Sequence, residues 1–510
     1  MPTLETVAIP HLNAEFLKEH PVLSNGSADK QLPERVLQFG EGGFLRGFVD
    51  WMIDGMNRKG LFNGRVVVVQ PIAQGQVKML NEQSGAYTLL MRGIEEGNVV
   101  ERQELITSIS RGINPYADFQ GYLKCAHNPD LRFIVSNTTE AGIAYSAADK
   151  QSDQPPASFP AKLTLLLLER YKAFNGDASK GFVLLPCELI DRNGDNLKKT
   201  VLQTAANWGL DAAFVQWIES ANVFTNTLVD RIVTGYPRNE VEKLWTNSGY
   251  RDDLFDSSEV FHLWVIEGPA SLNEELPLAK AGFNVIVSDN MKPYRDRKVG
   301  ILNGAHTTTV PAAFLAGFNY VGDFMADAAV SGFMKSAIAD EVIPTLTLPK
   351  AELELFAASV FERFSNPFIQ HSLLSITLNS VSKYKARVLR SLERYVDLRG
   401  ELPKRLTFAL AALIVFYRGT EIKDGALIGH RDGKEYPIKD NQPILEKYAS
   451  LWSAFDGSAA GVRTLTDAVL EQKEWWGKDL RTIPNLSVAV AEYANAILTK
   501  GVVAAIAEIK

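Results

Sequence analysis

The feature that most limits the fold is a series of short apolar runs, separated by helical patterns or turns. The clearest is RVVVVQPI (65–72), where β-branched residues follow one another without alternating polar positions. Strands covered on both faces of a parallel sheet have this composition. Four further runs have a similar character: RVLQF (35–39), RFIVSN (132–137), GFVLLPCEL (181–189) and FNVIVSD (283–289).

Helical patterns lie between these runs. After the first run, Phe44, Phe48, Met52 and Met56 repeat every four residues, and AKLTLLLLERYKAF (161–174) precedes a later run. Strands that alternate with helices are joined by right-handed crossovers in a mostly parallel sheet. We therefore predict an α/β domain over residues 1–295.

The pattern changes after about residue 295, where long helical periodicities dominate. A chain of 510 residues is also too long for one hydrophobic core. We predict a mostly α-helical C-terminal domain (296–510), with a polar surface excursion or hairpin at 419–441. The predicted helices are 322–341, 350–364, 369–395, 403–418, 464–475 and 485–508.

Composition excludes several classes of function. The net charge of -7, without a basic block, argues against a nucleic-acid partner. The apolar stretch 406–419 is too short for a membrane span, and residues 1–21 lack the pattern of a signal peptide. Cys125 and Cys187 cannot form a disulfide framework and fit a reducing cytosol, and no metal-binding motif occurs. We expect a cytoplasmic protein without a metal, membrane or nucleic-acid partner.

The turn FGEGGFLRGF (39–48) has the spacing of a dinucleotide-binding loop. Gly40 permits a tight turn, Gly42 allows close backbone approach to a pyrophosphate, and a helix beginning near Gly43 points its N–H groups at phosphates. Leu45 replaces the third glycine of the usual pattern, so a glycine-rich connection without a ligand is the alternative. The predicted cofactor contacts in this loop are Phe39, Gly40, Gly42, Gly43, Phe44 and Arg46. For Arg46, a solvated position in the first helical turn is equally compatible.

Two further segments are candidates for cofactor binding. An acid is expected at the end of the second strand to hold the ribose hydroxyls, and Gln70 stands there. An amide can hydrogen-bond a ribose but cannot repel a 2′-phosphate by charge, so NAD is favoured over NADP only modestly. Asn137, Thr138 and Thr139 follow a strand whose carboxyl end lines the expected crevice; capping of the next helix is the compatible alternative.

The stretch KVGILNGAHTTT (298–309) carries Lys298, Asn303 and His306 among small and apolar residues. At ~100° per residue of an α-helix, these three side chains fall on one broad face. A lysine can exchange a proton with an alcohol when its pKa is lowered, an amide can donate to an oxyanion, and a histidine can orient the substrate. The alternative is a polar helix start at a domain boundary.

Four motifs, FGEGGFLRGFVDW, SNTTEAG, NTLVDRIVTGYP (226–237) and KVGILNGAHT, resemble the mannitol dehydrogenase family of polyol-specific long-chain dehydrogenases. The resemblance covers nearly the whole chain, and the K-x4-N-x2-H spacing is the family's catalytic signature. It implies an N-terminal Rossmann-type domain that binds NAD, followed by a helical substrate domain. It also implies a metal-independent mechanism with Lys298 as general acid/base, Asn303 as oxyanion donor and His306 in substrate positioning.

The chain departs from the family pattern at one place. Mannitol dehydrogenases have an asparagine after a Cys-Asp pair, whereas PCEL here puts Leu189 at that place. Asn193 or a backbone group is the candidate replacement for the second oxyanion donor. Asp230 matches an acid near the family's substrate site, although pairing with Arg231 or another cation is at least as good an interpretation.

Other stretches, such as VSNTTEAGI, PCELIDRNGDNL and RLTFALAALIVFYRG, look like family members that act on a hexuronate. This likeness implies reduction of D-tagaturonate to D-altronate and the reverse. A substrate carboxylate needs a cation, and Lys383 aligns with a family lysine near the substrate. Lys385 and Arg387 are interpreted as a solvated helix face.

Several alternatives remain open at this stage. Fructuronate with mannonate and fructose with mannitol are the alternative substrate pairs within the same family. A nucleotide-binding protein without turnover and, more remotely, a methyltransferase with a similar glycine turn are the alternatives from other classes.

Overall fold

The computed structural model describes residues 9–23, 32–139 and 141–509, so residues 1–8 of the stretch assessed for a signal peptide lie outside it. The chain forms two compact units. One contains the described residues up to Gly93 together with Val100–Met291, and the other contains Ile94–Val99 and the described residues from Lys292. Each unit is described separately below.

The strands of the described residues form four sheets. In chain order they are β1 (Glu34–Phe39), β2 (Arg65–Val69), β3 (Tyr87–Glu95), β4 (Asn98–Ile106), β5 (Ile109–Ile113), β6 (Phe133–Ser136), β7 (Val183–Pro186), β8 (Val223–Phe224), β9 (Asn226–Asp230), β10 (Asp256–Glu259), β11 (Leu263–Glu267), β12 (Val285–Ser288), β13 (Gly419–Lys423), β14 (Ala426–Arg431) and β15 (Lys434–Ile438).

The main sheet of the first unit is parallel throughout, with the order β5-β2-β1-β6-β7-β8. Four of the five predicted apolar runs correspond to β1, β2, β6 and β7 of this sheet. This confirms the predicted parallel sheet. Strand β1 lies between β2 and β6, so the strand order reverses there. Ligands bind at such a switch point, beyond the carboxyl ends of the strands.

Both faces of this sheet are buried, as the continuous apolar runs predict. One face contributes side chains such as Val36, Val66, Val68 and Phe133 to a core that also contains Trp264. The opposite face contributes alternate residues of the same strands, such as Leu37, Val67, Val69 and Ile134, to a second core. Alternate side chains of each strand therefore pack against two different layers.

The fifth apolar run is a strand, but its predicted place in the parallel sheet is wrong. Strand β12 pairs in parallel with β11, which pairs in antiparallel with β9 in a separate three-stranded sheet. Val285 is buried, but the next three residues of β12 are only half-buried. The strand is therefore less buried than its apolar composition predicts. A third sheet, β10-β3-β4, was not predicted.

The α-helices of the first unit cover these sheets. They are α1 (Ala14–Glu19), α2 (Gly43–Leu45), α3 (Trp51–Arg58), α4 (Val77–Glu82), α5 (Phe119–Lys124), α6 (Phe159–Ala173), α7 (Asn193–Asn207), α8 (Ala212–Ala221), α9 (Val241–Ser248) and α10 (Leu272–Glu275). Short 3₁₀ turns occur at Cys125–His127 and Ala178–Lys180. A π-helical segment, Arg46–Asp50, joins α2 to α3.

The second unit is mostly helical. Its α-helices are α11 (Lys292–Arg297), α12 (Gly304–Leu315), α13 (Val321–Met325), α14 (Ala328–Ser336), α15 (Lys350–Phe364), α16 (Leu373–Ile376), α17 (Ser380–Tyr384), α18 (Arg390–Arg399), α19 (Lys404–Phe416), α20 (Gln442–Ser453), α21 (Ala459–Leu470), α22 (Lys473–Trp476), α23 (Leu486–Lys500) and α24 (Val502–Ala507). Short 3₁₀ turns occur at Ile343–Thr345 and Leu480–Thr482, and π-helical segments at Lys298–Asn303, Ala337–Val342 and Lys385–Leu389.

The predicted helix 369–395 is not continuous. It divides into α16, α17, the π segment Lys385–Leu389 and α18, because Asn379 adopts a left-handed backbone conformation (φ 55°) before α17. The polar segment 419–441 forms the antiparallel meander β13-β14-β15 instead of a single hairpin. The stretch 406–419 lies mainly in α19, whose residues Leu406–Phe416 are all buried. Across the described ranges, no helix has both the length and the apolar composition that a membrane span requires.

Candidate active site

The glycine loop after β1 presents backbone atoms at its surface. Gly40 has a φ of +124°, and a Cβ added there would lie 3.0 Å from the carbonyl oxygen of Asn137. A Cβ on Gly42 would meet no atom of the described residues within 4 Å, so the backbone there is open to a ligand. A continuous helical path begins at Gly43 and runs through α2, the π segment and α3. Its first N–H groups have the orientation that binds phosphate.

The aromatic residues of the loop have different environments. Phe39 is fully buried and packs against Phe159, with ring centroids 4.9 Å apart, so it can offer a ligand only backbone atoms. Phe44 is half-buried and stacks on Phe48 at 5.1 Å. Both rings anchor the loop in the core and fix the start of the helix.

Arg46 lies inside the protein, in the π segment that follows α2. The side chain is 4% exposed, and its guanidinium donates to the carbonyl oxygens of Leu254 and Glu41 while lying 5.1 Å from the Tyr87 ring centroid. A solvated first-turn position is therefore wrong. These contacts favour an internal brace for the glycine loop over direct contact with phosphates.

Gln70 is also turned towards the protein. It is buried at the end of β2, and its Nε2 donates to the carbonyl oxygens of Ile72 and Ala73, each at 2.9 Å. The amide therefore stabilises its own loop, which argues against the predicted ribose contact from this donor. The expected position at the end of the second strand is correct, but the side chain is already engaged.

The loop after β6 is tied to the loop after β7. Asn137 Nδ2 donates to the carbonyl of Cys187 at 2.9 Å, and the backbone N–H and hydroxyl of Thr138 donate to Glu188, both at 3.0 Å. Burial raises the pKa of Glu188. These contacts give Asn137 and Thr138 a structural role and hold the two loops together beside Gly40.

Thr139 follows with an exposed side chain and a φ of +74°, which is rare for a β-branched residue. Strained backbone of this kind occurs disproportionately at ligand sites. The alternative interpretation of Thr138 or Thr139 as a helix cap is wrong, because the next helix begins at Phe159 and is capped by Ser158.

Asn193 cannot replace the missing oxyanion donor. It is buried, its Nδ2 donates to the carbonyls of Pro186, Glu188 and Thr227, and its Oδ1 accepts from the N–H groups of Gly194 and Thr227. That proposed role is wrong because the amide is saturated by backbone partners. Leu189, at the position of the family asparagine, is 65% exposed.

Asp230 ends β9 and is buried. The adjacent Arg231 donates to the carbonyls of Gly47 (2.5 Å) and Glu259 (3.0 and 2.9 Å), and it lies 4.1 Å from the Trp51 ring centroid. Burial lowers the pKa of Arg231 to about 10. The guanidinium thus stabilises backbone carbonyls of the first unit.

In the second unit, Lys298 and Asn303 are the first and last residues of a π-helical segment. A π-helix has i→i+5 hydrogen bonds, so residues five apart stand about one turn from each other. The α-helical angle used above is therefore wrong for this pair, but the two side chains still share a side of the segment. Both residues are half-buried. Isolated π-helical turns are frequent at functional sites.

His306 lies in the first turn of α12, in an aromatic and cationic environment. Its ring stacks on Phe364 with centroids 4.0 Å apart and meets the edge of His371 at 5.4 Å. Its buried Nδ1 has no hydrogen-bond partner among the residues that the structure describes. Burial lowers the pKa of His306 well below its usual value, with further lowering by His371, Arg363, Arg387 and Lys383. The imidazole is therefore neutral at neutral pH.

The basic residues after position 380 are not all solvated. Lys383 is half-buried, and its Nζ donates to the carbonyl of Ile376 at 2.8 Å. Arg387 is also half-buried, and burial lowers its pKa, so its predicted place on a solvated face is wrong. Lys385 is exposed. A side chain added at Gly304 would lie 3.7 Å from the carbonyl of Arg387, which places this π segment beside the start of α12.

Arg363 and His371 are functional candidates that the sequence did not indicate. Arg363 precedes the phenylalanine that stacks on His306, and His371 contacts the same imidazole. Arg363 lies in the last turn of α15, and His371 follows that helix. Both are far in sequence from Lys298, and no motif spacing connects them to the lysine. Within residues 9–23, 32–139 and 141–509, no group of three or more His, Cys, Asp or Glu side chains is arranged to hold a metal ion.

Comparison with known families agrees with this architecture. The family model of the mannitol dehydrogenase Rossmann domain matches residues 34–280, and that of the mannitol dehydrogenase C-terminal domain matches residues 290–498. The chain belongs to the mannitol dehydrogenase family.

Relatives in this family include the altronate oxidoreductase of Klebsiella pneumoniae (strain 342), 51% identical over 472 residues, which are 92% of this chain and 96% of the relative. That of Shigella flexneri is 50% identical with the same coverage. Among solved structures, a substrate-free D-sorbitol dehydrogenase is similar with a TM-score of 0.75 and 23% identity, covering 93% of this chain and 95% of that one. A ternary complex of Pseudomonas fluorescens mannitol 2-dehydrogenase with NAD and D-mannitol has a TM-score of 0.63 and 21% identity, with 94% of each chain covered. The two solved structures support the fold.

Proposed function

We propose that this protein is an NAD-dependent oxidoreductase that interconverts D-tagaturonate and D-altronate. The observation that carries the proposal is its identity of 50–51%, over 92% of the chain, to enzymes named altronate oxidoreductase. The residues of both units are compatible with this chemistry.

The first unit fits a dinucleotide. The open backbone at Gly42 and the helix beginning at Gly43 suit a pyrophosphate. A cavity of about 670 Å³ lies at the carboxyl ends of β2 and β5, lined by Gln70, Gly75 and Asn114 among others. This volume lies within the usual range for small-molecule sites. NAD, when bound, supplies the hydride exchange.

We assign the proton transfer to Lys298. In the reductive direction its ammonium gives a proton to the substrate oxygen as negative charge develops there, and in the oxidative direction the amine takes that proton back. Asn303, one π turn away, donates a hydrogen bond to the same oxygen. Their placement on one side of the π segment supports this pairing.

His306 orients a substrate hydroxyl in this proposal. Its ring is fixed by Phe364, and burial keeps it neutral, so it can donate from one nitrogen and accept at the other. The buried Nδ1 without a partner in the described residues is a group that a ligand hydroxyl can satisfy.

The cations around His306 favour a substrate with a carboxylate. Arg363, Arg387 and Lys383 each contribute to lowering the pKa of His306, so their positive charges act on this imidazole. Half-buried cations are stabilised by an anionic partner. A uronate supplies one, whereas fructose and mannitol do not. Fructuronate and mannonate carry the same group, so they remain the second candidate pair.

We further propose that the protein acts in the cytoplasm on a small molecule, without a nucleic-acid partner. Cys125 and Cys187 are buried free thiols, a state that persists in a reducing compartment. The net charge of -7 is unfavourable for binding a phosphate backbone.

A substrate panel tests the proposed reaction. NADH oxidation should be fastest with D-tagaturonate when D-tagaturonate, D-fructuronate and D-fructose are compared at equal concentrations. NAD reduction should occur with D-altronate. A clear preference for fructose would overturn the substrate assignment, and NADH binding without turnover of any of these compounds would indicate a non-catalytic nucleotide-binding protein.

A further inference from the structure

The loop after β2 lacks an acid of its own, yet a carboxylate reaches it from another loop. Glu41 lies between Gly40 and Gly42 in the glycine turn. Its Oε1 accepts a hydrogen bond from the backbone N–H of Gln76 at 3.4 Å. A side chain added at Gly75 would collide with the same oxygen. The carboxylate of Glu41 therefore stands directly against the loop that follows β2.

In a dinucleotide-binding fold, the loop after the second strand lies beside the adenosine ribose. An acid at the end of the second strand usually holds the adenosine ribose hydroxyls, and its charge opposes a 2′-phosphate. Gln70, which occupies that place here, uses its amide N–H groups on the carbonyls of Ile72 and Ala73. Glu41 brings the missing charge to the same loop from the glycine loop that follows β1.

We infer that Glu41 binds the adenosine ribose hydroxyls of the cofactor and determines the preference for NAD over NADP. The inference rests on the proposed function, because it requires a dinucleotide in the first unit. It assigns the discrimination to the glycine loop instead of to the end of the second strand.

The surroundings of Glu41 support this assignment. Its side chain is half-buried beside the cavity of about 670 Å³ that Gln70, Gln74 and Gly75 line. Burial raises the pKa of Glu41, so its carboxylate gains from hydrogen-bond donors such as ribose hydroxyls.

The cations that line the same cavity already lie beside acids. Arg111 donates to both carboxylate oxygens of Glu34, at 2.7 and 2.9 Å. Lys78, at the exposed rim, lies 3.8 Å from Glu82. A 2′-phosphate would therefore meet the Glu41 carboxylate while these cations are engaged with acidic partners.

The adenosine half of the cofactor can be tested without turnover. Binding of ADP-ribose and of 2′-phospho-ADP-ribose to the wild-type protein and to Glu41→Gln is measured by calorimetry. Glutamine keeps an acceptor for the Gln76 N–H but removes the charge. We expect the wild type to prefer ADP-ribose, and the ratio of the two dissociation constants to fall by about tenfold or more in Glu41→Gln. The ratio of kcat/KM for NADH and NADPH should shift in the same direction.

Two further variants complete the test. Glu274→Gln removes one exposed acid from the same unit, away from the cavity, and should leave the ratio unchanged. Glu41→Ser provides a second removal of the charge if the glutamine variant is unstable, and circular dichroism checks the folding of each. An unchanged ratio in both Glu41 variants, with ADP-ribose still bound by the wild type, would overturn this inference alone. Failure of the wild type to bind either NADH or ADP-ribose would overturn the proposed function as well.

Discussion

The imidazole of His306 stacks on the phenyl ring of Phe364, with centroids 4.0 Å apart and 25° between the ring planes. This contact joins the first turn of α12 to the last residue of α15. It fixes the half-buried ring of His306, whose pKa lies well below the usual value because of desolvation and the neighbouring cations. The orientation of a proposed substrate-positioning group thus depends on an aromatic residue that has no chemical role of its own.

Phe364→Leu should lower kcat by about tenfold, because a misplaced positioning group weakens orientation of the substrate. The free energy of unfolding should fall by about 1–3 kcal/mol, as expected when a buried aromatic side chain is shortened. Steady-state kinetics and urea denaturation measure the two effects. Phe368→Leu, at a 42% exposed position, is the matched control and should change neither quantity appreciably. Equal kinetics in the two variants would show that the stack does not orient His306.

Lys298→Met should reduce kcat by about 10²–10⁴, the usual contribution of a general acid/base. NADH binding, followed by fluorescence titration, should be retained because the proposed cofactor contacts lie in the first unit. Lys292→Met serves as the control, since Lys292 is exposed and pairs with Asp296 on α11. Undiminished turnover in Lys298→Met would remove the proposed acid/base.

Arg387→Met should raise KM for D-tagaturonate by about 10- to 100-fold, because a charge-assisted contact with the substrate carboxylate is lost. Turnover of neutral ketoses, where measurable, should be much less affected. Lys385→Met changes a basic residue of the same π segment that is exposed, and it should leave KM near the wild-type value. If both variants behave alike, the carboxylate is bound elsewhere.

Asp50→Asn should make the stability of the protein less dependent on pH. Burial raises the pKa of Asp50 from 3.8 to about 7, and its Oδ2 accepts from Gln38 Nε2 at 3.0 Å. The carboxyl proton of Asp50 is bound more tightly in the folded state than in the unfolded state. The protonated side chain therefore makes its whole contribution to the free energy of unfolding below about pH 4. It is lost as the pH rises towards 7.

At pH 8 the asparagine variant should therefore be more stable than the wild type by about 1–3 kcal/mol. The difference should shrink or reverse at pH 5, as measured by urea unfolding at both pH values. Asp130→Asn, at an exposed position, should not alter the pH dependence. Parallel stability curves for Asp50→Asn and the wild type would contradict a raised pKa at Asp50.

Much of the parallel sheet could be predicted because the pattern that indicates each strand lies within the sequence of that strand. Burial of both faces requires continuous apolar runs, and such runs gave β1, β2, β6 and β7. Strand β12 has a similar composition but packs in another sheet, and composition alone does not identify a strand's partner. The predicted helices of the second unit were likewise interrupted where π segments and a left-handed Asn379 occur.

The side-chain roles were harder to predict because they depend on contacts distant in sequence. Arg46 and Arg387 look alike as basic residues on helices, yet tertiary packing buries the first and half-buries the second. Asn193 has the right chemistry for an oxyanion donor, but its amide donates to the carbonyls of Pro186 and Thr227, which lie far from it in sequence. The Lys298, Asn303 and His306 set could be recognised only as a motif, since no pattern in the sequence indicates a π-helical turn.

The π-helical turn from Lys298 to Asn303 has a consequence for how this part of the chain can vary. Such a turn holds one residue more than an α-helical turn. Removing one residue, for example Val299, would allow the segment to relax to α geometry, in which Lys298 and Asn303 would be four residues apart and again about one turn from each other. The extra residue therefore widens the helical turn between the amine and the amide while leaving both on the same side of the helix, and a deletion there would remove that width without turning the lysine away.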